Sequence, residues 1–211
     1  KNTLLVYNPS NINKFQNVRV KKNKVKKIVF AGNIGKAQAL EKLIILGKFI
    51  KKDKLQIVFE IIGEGSNKKH LQKMVIDASL EKIIIFKDFM KPEIIEKYLL
   101  SADGLLVSLG VGRALSSTIP AKFQTYISFG KPIFTFSENI VADIVKRYKI
   151  GFVINNKNFK KKILKFSSMD SSTTNLIRYK SKNIFRNLFE IKKNTKILEK
   201  IIKMGLNKWK F

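Results

Sequence analysis

Short apolar segments alternate regularly with amphipathic helical patterns along most of this chain, and this alternation constrains the fold more than any other feature. The run KKIVFAG ends at a glycine before a helical pattern over Gln38–Lys51, and LQIVFEIIGEG precedes another over Lys68–Leu80. The segments KIIIF, GLLVSLG, PIFTF and GFVI continue the series, separated by helical patterns at Pro92–Leu100, Ala121–Phe129 and Ile140–Tyr148. Near-continuous apolar strands between helices are typical of a parallel sheet covered on both faces.

We therefore predict an α/β fold with a Rossmann-like, doubly wound parallel sheet of about six strands. A C-terminal helical extension follows over Ser181–Met204. Residues 1–24 contain NPSNINKFQN and a basic stretch, which indicate a linker or domain edge, and residues 25–211 form the predicted domain. Ligands of such sheets bind beyond the carboxyl ends of the strands. The loops expected to share that rim contain Gly32, Gly63, Asp88, Ser108 and Phe136.

Composition excludes several kinds of site. The chain has no cysteine and one histidine, His70, which excludes disulfides, zinc–thiolate sites and the serine triad. We expect His70 to be a surface residue of a helix. No carboxylate cluster suggests a metal site, and no apolar run reaches the length of a membrane span. The chain has neither an initiator methionine nor a signal peptide, so we expect a fragment of a cytoplasmic protein.

The net charge of +28 is large for 211 residues and would attract an anionic partner. Most of the positive residues are lysines spread along the whole chain, and arginines, which read bases bidentately, are scarce. Three interpretations remain open: compositional drift towards A/T-rich codons, attraction to an anionic membrane surface, and nucleic-acid binding. The last is the least favoured.

Two strand-to-helix turns carry glycines. In AGNIGKAQ, Gly32 and Gly35 allow the backbone to approach a phosphate closely, and Asn33 can adopt a left-handed conformation. The spacing is not that of the dinucleotide fingerprint, so the segment is equally well explained as an ordinary tight turn. In GEGSNKKHL, Glu64 can accept a hydrogen bond from a ligand hydroxyl or cap the next helix.

Two further segments offer polar or aromatic side chains near strand ends. Asp88 and Phe89 follow the third strand, where Phe89 either stacks on a nucleotide base or packs into the core. Asp103, in SADGLLV, is expected to cap or end the helix that precedes it.

The segment SSTIPAKFQTYISFGKPI is the favoured place for a nucleotide. Ser117 or Thr118 can cap the N–H groups of the helix that follows, and Pro120 suits its first turn. A helix start of this kind presents free amides and a positive dipole end, which suit a phosphate. Lys122 adds a mobile cation just inside the helix.

Taken in order and spacing, these segments resemble the C-terminal, donor-binding domain of GT-B-fold glycosyltransferases of the group 1 (family 4) type, particularly those of bacterial surface-polysaccharide synthesis. The resemblance covers residues 5–205 and rests on FAGNIGKAQALEKLI, FEIIGEGSNKKHL, SADGLLVSL and TIPAKFQTYISFGKPI. It implies transfer of a sugar, with retention at the anomeric carbon, from a nucleotide-diphosphate donor such as a UDP-sugar to a glycan or lipid-linked acceptor. It implies no separate cofactor.

The resemblance also assigns roles to the loops. It implies that the first glycine loop faces the diphosphate, that the GEG turn lies near the nucleoside and that the segment after the third strand meets the base. The helix start then holds phosphate and ribose. The residues implicated are Gly32, Asn33, Gly35, Gly63, Glu64, Gly65, Asp88, Phe89, Ser117, Thr118, Ile119 and Lys122.

The chain departs from the family pattern in two respects. A Glu-x7-Glu pair of the family, whose second member binds ribose, corresponds here to Ser117 and Thr125, neither of which is acidic. We therefore add Thr125 and the adjacent Gln124 to the predicted binding residues, with no residue assigned to catalysis. Cations around the first loop are reduced to Lys36.

The resemblance further implies an N-terminal acceptor domain, which residues 1–24 are too short to supply. We expect this chain to bind donor without turnover, and its charge to hold the full enzyme near an anionic membrane. The alternative is a basic α/β domain that binds nucleic acid or an anionic membrane without catalysis. A nicotinamide-dependent enzyme is disfavoured because the chain lacks the fingerprint and the ribose-binding acid.

Overall fold

A computed structural model describes residues 24–109, 119–136 and 138–207. In these ranges six strands form one parallel sheet with the order β3-β2-β1-β4-β5-β6. This order is that of a doubly wound Rossmann-like sheet, so the predicted fold is confirmed. The strands are β1 (Lys26–Ala31), β2 (Ile57–Ile62), β3 (Ile84–Lys87), β4 (Gly104–Leu106), β5 (Ile133–Thr135) and β6 (Gly151–Val153).

Helices connect the strands and form the C-terminal extension. The helices are α1 (Lys42–Lys52), α2 (Lys68–Asp77), α3 (Pro92–Ser101), α4 (Ala121–Ser128), α5 (Ile140–Tyr148), α6 (Phe159–Ser167), α7 (Ser171–Ile184) and α8 (Ile191–Asn207). A π-helical segment, Phe185–Phe189, joins α7 to α8. The first helix was predicted to begin at Gln38 and begins at Lys42. The reason is that Lys36–Gln38 form a 3-10 turn that ends at Ala39 in a left-handed conformation.

The sheet is covered on both faces by separate hydrophobic layers. Strand β1 alternates between them: Ile28 and Phe30 pack with α1, α2 and α6, whereas Val29 and Ala31 pack with α3, α4, α5 and α7. This alternation follows from the two-residue period of a strand. The strand order reverses between β1 and β4, which places the crevice of a doubly wound sheet beside the loop that follows β1.

Asp103 does not cap the helix that precedes it, so that expectation is wrong. Helix α3 ends at Ser101 with Ala102 as its C-cap. The Asp103 carboxylate instead accepts a hydrogen bond from the Lys27 backbone N–H at 2.9 Å, and its own N–H donates to the Lys27 carbonyl at 2.8 Å. Strand β4 is too short to pair with the backbone of β1 at Lys27. Asp103 provides partners for the N–H and the carbonyl of Lys27 and thus joins the start of β4 to β1.

His70 is exposed on α2, as predicted. Across the described parts of the chain, the helices are all too short or too polar to span a membrane.

Candidate functional site

The two glycine turns lie side by side at the carboxyl ends of β1 and β2. The Gly32 N–H donates to the Ile62 carbonyl at 2.9 Å, and the Ile34 N–H donates to the Glu64 carbonyl at 2.7 Å. The Ile34 carbonyl accepts in turn from the Asn67 N–H at 3.0 Å. These bonds extend the strand pairing into the loops, so the two turns form one rigid rim.

The close approach of the two turns explains two of the glycines. A Cβ atom at Gly63 would lie 2.2 Å from the Gly32 carbonyl oxygen, and one at Gly65 would lie 2.4 Å from the Ile34 carbonyl oxygen. Both glycines also have a positive φ, of 134° and 157°. Only glycine combines the missing side chain with this conformation at low cost.

Asn33 does not adopt the left-handed conformation that the sequence suggested, since it is absent from the positive-φ residues. The left-handed residue of this segment is Ala39, with φ 47°. Asn33 is exposed, and its side chain contacts both turns. Its Nδ2 atom would lie 3.1 Å from a Cβ atom at Gly35, and its Oδ1 atom would lie 2.6 Å from a Cβ atom at Gly65. The Asn33 amide therefore covers both turns from the solvent side.

Tyr126 fixes helix α4 to the end of β1. Its buried hydroxyl accepts a hydrogen bond from the Ala31 N–H at 2.9 Å and donates to the Ala31 carbonyl at 3.3 Å. Burial raises the pKa of this hydroxyl, which therefore remains protonated at neutral pH. Because Tyr126 and Lys122 are one turn apart on α4, this anchor also sets where Lys122 lies.

Lys122 lies across the loop that follows β1. Its ammonium is 3.7 Å from the centroid of the Phe30 ring, within the range of a cation–π contact. A Cβ atom at Gly32 would stand 2.6 Å from the Lys122 Nζ, so the side chain rests directly on the glycine. The expectation of a mobile cation is wrong, because the ring and the turn hold this side chain between them.

Burial lowers the pKa of Lys122 to about 8. The cause is desolvation, which disfavours the charged form of an amine. In the described ranges of the chain no carboxylate forms an ion pair with Lys122. A phosphate group would provide the missing counter-charge.

A second lysine, Lys68, joins the GEG turn to the segment after β3. Its ammonium lies 2.5 Å from the Glu64 carboxylate and 3.1 Å from that of Asp88. The hydrogen bond to Glu64 is the main reason that the pKa of Lys68 is raised. Lys68 was not among the residues predicted from the sequence, although its i,i+4 spacing from Glu64 was a usable signal.

Another polar contact holds the rim and was not predicted. The Asn67 amide donates to the Glu41 carboxylate, which joins the start of α2 to the start of α1. Asn67 is buried, and no charge pattern in the sequence marks the pair.

Phe89 is 72% exposed, so the alternative that it packs into the core is excluded. The adjacent Asp88 is also exposed and directs its carboxylate to Lys68. The Phe89 ring is therefore accessible beside this cluster, and its stacking on a base stays a prediction.

The other predicted residues belong to α4 or precede it. Ile119 is half-buried against the layer around α4, and Gln124 is buried. Thr125 donates its hydroxyl to the Ala121 carbonyl of its own helix at 3.1 Å. The predicted capping residues Ser117 and Thr118 lie outside the described residues.

A depression of about 410 Å³ lies elsewhere on the same rim, between α1 and the ends of β5 and β6. Lys42, Phe136, Glu138 and Asn155 contribute to its lining, and none of the predicted site residues does. In the part of the chain that the structure describes, no three His, Asp or Glu side chains are grouped as a metal ion requires.

Residues 11–183 match the model of the family described as glycosyl transferases group 1, which shows that the chain belongs to this family. A search of curated proteins finds no significant match. Similar solved structures include a variant of S. aureus TarM in complex with fondaparinux, alpha-GlcNAc-glycerol and UDP, with 20% identity and a TM-score of 0.65. That match covers 95% of this chain and 37% of TarM.

Two other structures extend the comparison. The C-terminal domain of the Francisella tularensis group 1 family protein LpcC has 17% identity and a TM-score of 0.60, with 88% of this chain and 97% of that domain covered. Anabaena Alr3699/HepE, in complex with UDP and glucose, has 12% identity and a TM-score of 0.65. That match covers 85% of this chain and 48% of Alr3699/HepE. At these identities the likeness shows the fold. The chain spans 37% of the length of TarM, somewhat over a third.

Proposed function

We propose that this chain is the donor-binding part of a retaining glycosyltransferase. Its donor is a nucleotide-diphosphate sugar, expected to be a UDP-sugar, and its acceptor is a glycan or a lipid-linked glycan. Membership of the group 1 family supports the reaction class, and the solved structures that contain UDP support the choice of nucleotide. Because the chain spans only part of TarM, an acceptor domain is proposed to complete the cleft.

The observation that carries this proposal is the position of Lys122. Its half-buried ammonium rests on Gly32 at the crevice of the sheet and has no carboxylate partner in the described ranges. A partly desolvated cation without a counter-charge is costly, and an anion that enters the site recovers part of that cost. The diphosphate of the donor fits this requirement.

The remaining groups suggest how the nucleotide lies along the rim. A diphosphate at Lys122 and Gly32 places the ribose over the adjacent GEG turn, where Glu64 can accept from a ribose hydroxyl. The base then reaches the exposed Phe89 ring beside Asp88. Lys68 holds both carboxylates in place and thereby keeps this side of the site rigid.

In the proposed reaction the oxygen of an acceptor hydroxyl forms a bond to the anomeric carbon of the sugar, on the same face from which the diphosphate leaves. The bond from that carbon to the diphosphate oxygen breaks, the nucleoside diphosphate leaves with the electron pair, and its phosphate oxygen takes the proton of the acceptor hydroxyl. The ammonium of Lys122 stabilises the charge that develops on the departing phosphate oxygen. No residue of this chain is assigned to proton transfer.

Ligand-induced thermal stabilisation tests the proposal. We expect UDP at about 100 times its dissociation constant to raise the melting temperature by about 5–10 °C, because a ligand that binds only the folded state stabilises it by mass action. GDP, UDP-glucose, UDP-GlcNAc, NAD and a short DNA duplex complete the panel. Stabilisation by DNA with none by any nucleotide would favour the alternative of a basic domain without catalysis.

The variant Lys122→Met makes the test specific to the site. We expect its UDP affinity to fall at least about tenfold by calorimetry, since one charge-assisted contact to phosphate is lost. Its own melting temperature should not fall, because the substitution removes a partly desolvated charge that has no counter-charge. The control Lys48→Met removes an exposed lysine of α1 and should leave UDP affinity unchanged. A Lys122→Met variant that fails to fold would mark Lys122 as structural and contradict the assignment.

A further inference from the structure

Lys68 is a buried cation that lies between two exposed carboxylates. The residue is 8% exposed, whereas the side chains of Glu64 and Asp88 are 57% and 96% exposed. Its ammonium contacts one oxygen of each, at 2.5 Å for Glu64 Oε1 and 3.1 Å for Asp88 Oδ1. Within the described ranges the second oxygen of each carboxylate has no partner, so it is free to accept a hydrogen bond from a ligand.

Glu64 is held at the rim by both its backbone and its side chain. Its carbonyl accepts from the Ile34 N–H at 2.7 Å, and it stands between two glycines that pack closely against the first turn. An exposed glutamate normally loses rotamer freedom when it binds a ligand, and the contact with Lys68 removes part of that freedom in advance. Glu64 is therefore a preorganised hydrogen-bond acceptor.

The place of Glu64 along the rim indicates which part of a nucleotide it meets. Strands β1 and β2 are paired to their ends, which puts the GEG turn one strand spacing, about 4.8 Å, from the turn that Lys122 covers. A nucleoside that extends from a diphosphate at Lys122 to Phe89 lays its ribose on the GEG turn. Lys68 draws the Glu64 carboxylate towards Asp88, on the side of the base, where the 2′-hydroxyl of a ribose stands.

Helix α4 offers no acidic alternative for this role. The sequence contains no Asp or Glu between Asp103 and Glu138, so neither α4 nor the segments beside it carry a carboxylate. The Thr125 hydroxyl on α4 donates to the Ala121 carbonyl of its own helix at 3.1 Å. A carboxylate is also the stronger acceptor, because hydrogen bonds to charged groups are stronger than those between neutral groups.

Lys68 makes a carboxylate compatible with a diphosphate nearby. An uncompensated carboxylate about one strand spacing from the phosphates would repel them. The hydrogen bond to Glu64 raises the pKa of Lys68, which therefore stays charged at neutral pH and offsets part of this repulsion. The same lysine thus orients Glu64 and reduces the cost of its charge.

We propose that Glu64 recognises the 2′-hydroxyl of the donor's ribose and that Lys68 is the positioning residue that holds Glu64 in place. The donor is then the sugar conjugate of a ribonucleoside diphosphate, and conjugates of deoxyribonucleoside diphosphates are discriminated against. Without the 2′-hydroxyl, the free oxygen of Glu64 faces the ribose with no donor. This inference rests on the proposed function, because it requires the diphosphate at Lys122.

UDP and 2′-deoxy-UDP differ in one hydroxyl, so their binding to the 211-residue chain tests the proposal by calorimetry. We expect the parent to bind 2′-deoxy-UDP at least about tenfold more weakly than UDP, the effect of one charge-assisted hydrogen bond. Glu64→Ala should reduce this ratio to about twofold or less, because the acceptor is removed. The control Glu81→Ala removes an exposed carboxylate before β3 and should keep the parental ratio.

A second pair of variants tests the positioning role of Lys68. Lys68→Met should lower the ratio at least about threefold, because Glu64 then rotates freely. Lys69→Met removes an exposed lysine from the same turn of α2 and should leave the ratio unchanged. A ratio of two affinities cancels any general loss of stability or of phosphate binding, so a merely structural role of Lys68 would not alter it. If Lys68→Met fails to fold, Lys68→Arg replaces it and should retain discrimination, since arginine pairs with both carboxylates.

Three results would overturn the proposal. Equal binding of the two nucleotides by the parent would show that the 2′-hydroxyl is not recognised. A parental ratio in Glu64→Ala would assign its recognition to another group, and a parental ratio in Lys68→Met would remove Lys68 from the mechanism. Failure of the parent to bind either nucleotide is a separate result, which would contradict the donor site itself and this proposal with it.

Discussion

Lys122 is a half-buried cation that rests on a glycine and an aromatic ring, with no carboxylate partner among the described residues. Its pKa of about 8 in the folded state is below the ordinary value of 10.5. Between these two values the unfolded chain binds more protons than the folded one. The contribution of Lys122 to stability therefore rises as pH increases through this range. At neutral pH the desolvation of charged Lys122 lowers the free energy of unfolding, and a residue that costs stability in this way is typical of a functional site.

The same titration predicts how nucleotide binding depends on pH. If the charged form of Lys122 binds the diphosphate, the dissociation constant for UDP should increase above pH 8. Because the charged fraction of Lys122 falls about tenfold between pH 7 and pH 9, the dissociation constant should be about tenfold larger at pH 9 than at neutral pH. Calorimetry from pH 7 to pH 9.5 measures the change. Lys122→Met should bind weakly with little dependence on pH over this range. A parental affinity that stays constant to pH 9.5 would contradict the role of Lys122.

Tyr126 is the other residue on which the geometry of this site depends. We expect Tyr126→Phe to lower the free energy of unfolding by about 1–3 kcal/mol, because the buried Ala31 N–H and carbonyl lose their partner. Urea unfolding measures the difference. Tyr179→Phe, at a residue that is 64% exposed, is the matched control and should change stability by less than about 0.5 kcal/mol. An equal effect of both substitutions would show that the Tyr126 hydroxyl does not anchor α4.

At the scale of elements, the two glycine turns act as one unit because strand pairing continues beyond β1 and β2. Backbone bonds join Gly32 to Ile62, and Ile34 to Glu64 and Asn67. The Asn67–Glu41 and Lys68–Asp88 contacts connect this unit to the neighbouring elements. The turns are thus rigid before any ligand binds, and a preorganised site loses little conformational entropy on binding.

Substitution of two glycines tests how tightly the turns pack against each other. Gly63→Ala should destabilise the fold by at least about 2 kcal/mol, because the new Cβ meets the Gly32 carbonyl oxygen and φ is positive. Gly35→Ala should be tolerated, since its φ of −107° is ordinary and the closest atoms are the flexible ends of Gln38 and Asn33. Thermal unfolding of both variants is the measurement. A Gly63→Ala variant as stable as the parent would show that the two turns separate easily.

At the scale of the whole molecule, the sheet brings the predicted loops to one edge, and the C-terminal helices add a separate basic surface. The chain carries a net charge of +28, and two of its lysines lie at the rim: Lys122 contacts the Phe30 ring, and Lys68 contacts the Glu64 and Asp88 carboxylates.

The share of TarM that this chain spans leads to a prediction about activity. We expect the 211-residue chain to bind UDP but to release no UDP from UDP-sugars, since the acceptor side of the proposed cleft is not supplied by the described domain. A coupled assay for UDP with UDP-glucose or UDP-GlcNAc measures this. Sustained release above the rate without protein would show that the chain carries a complete active site.

Sequence reasoning recovered the architecture, while the position of the site along the chain remains a prediction. The apolar strands and their glycine endings predict a parallel sheet, and parallel strands necessarily place their carboxyl ends on one edge. That Gly32, Gly63 and Asp88 lie at one edge is therefore a consequence of pattern alone, whereas the structure shows that the strands they follow are neighbours. The division at residues 24 and 25 and the roles of all the predicted site residues remain predictions.

Some features could not be read from the sequence because they depend on contacts between distant residues. Tyr126 reaches Ala31 across 95 positions, and this contact places Lys122 over Phe30 and Gly32. The sequence determined the type of fold, the order of the loops and the excess of lysine, since periodicity and composition are local properties. Only the tertiary structure decided that Lys122 is half-buried against Phe30, that Phe89 is exposed and that Lys68 joins two loops. Burial and charge pairing are set by which elements pack against each other.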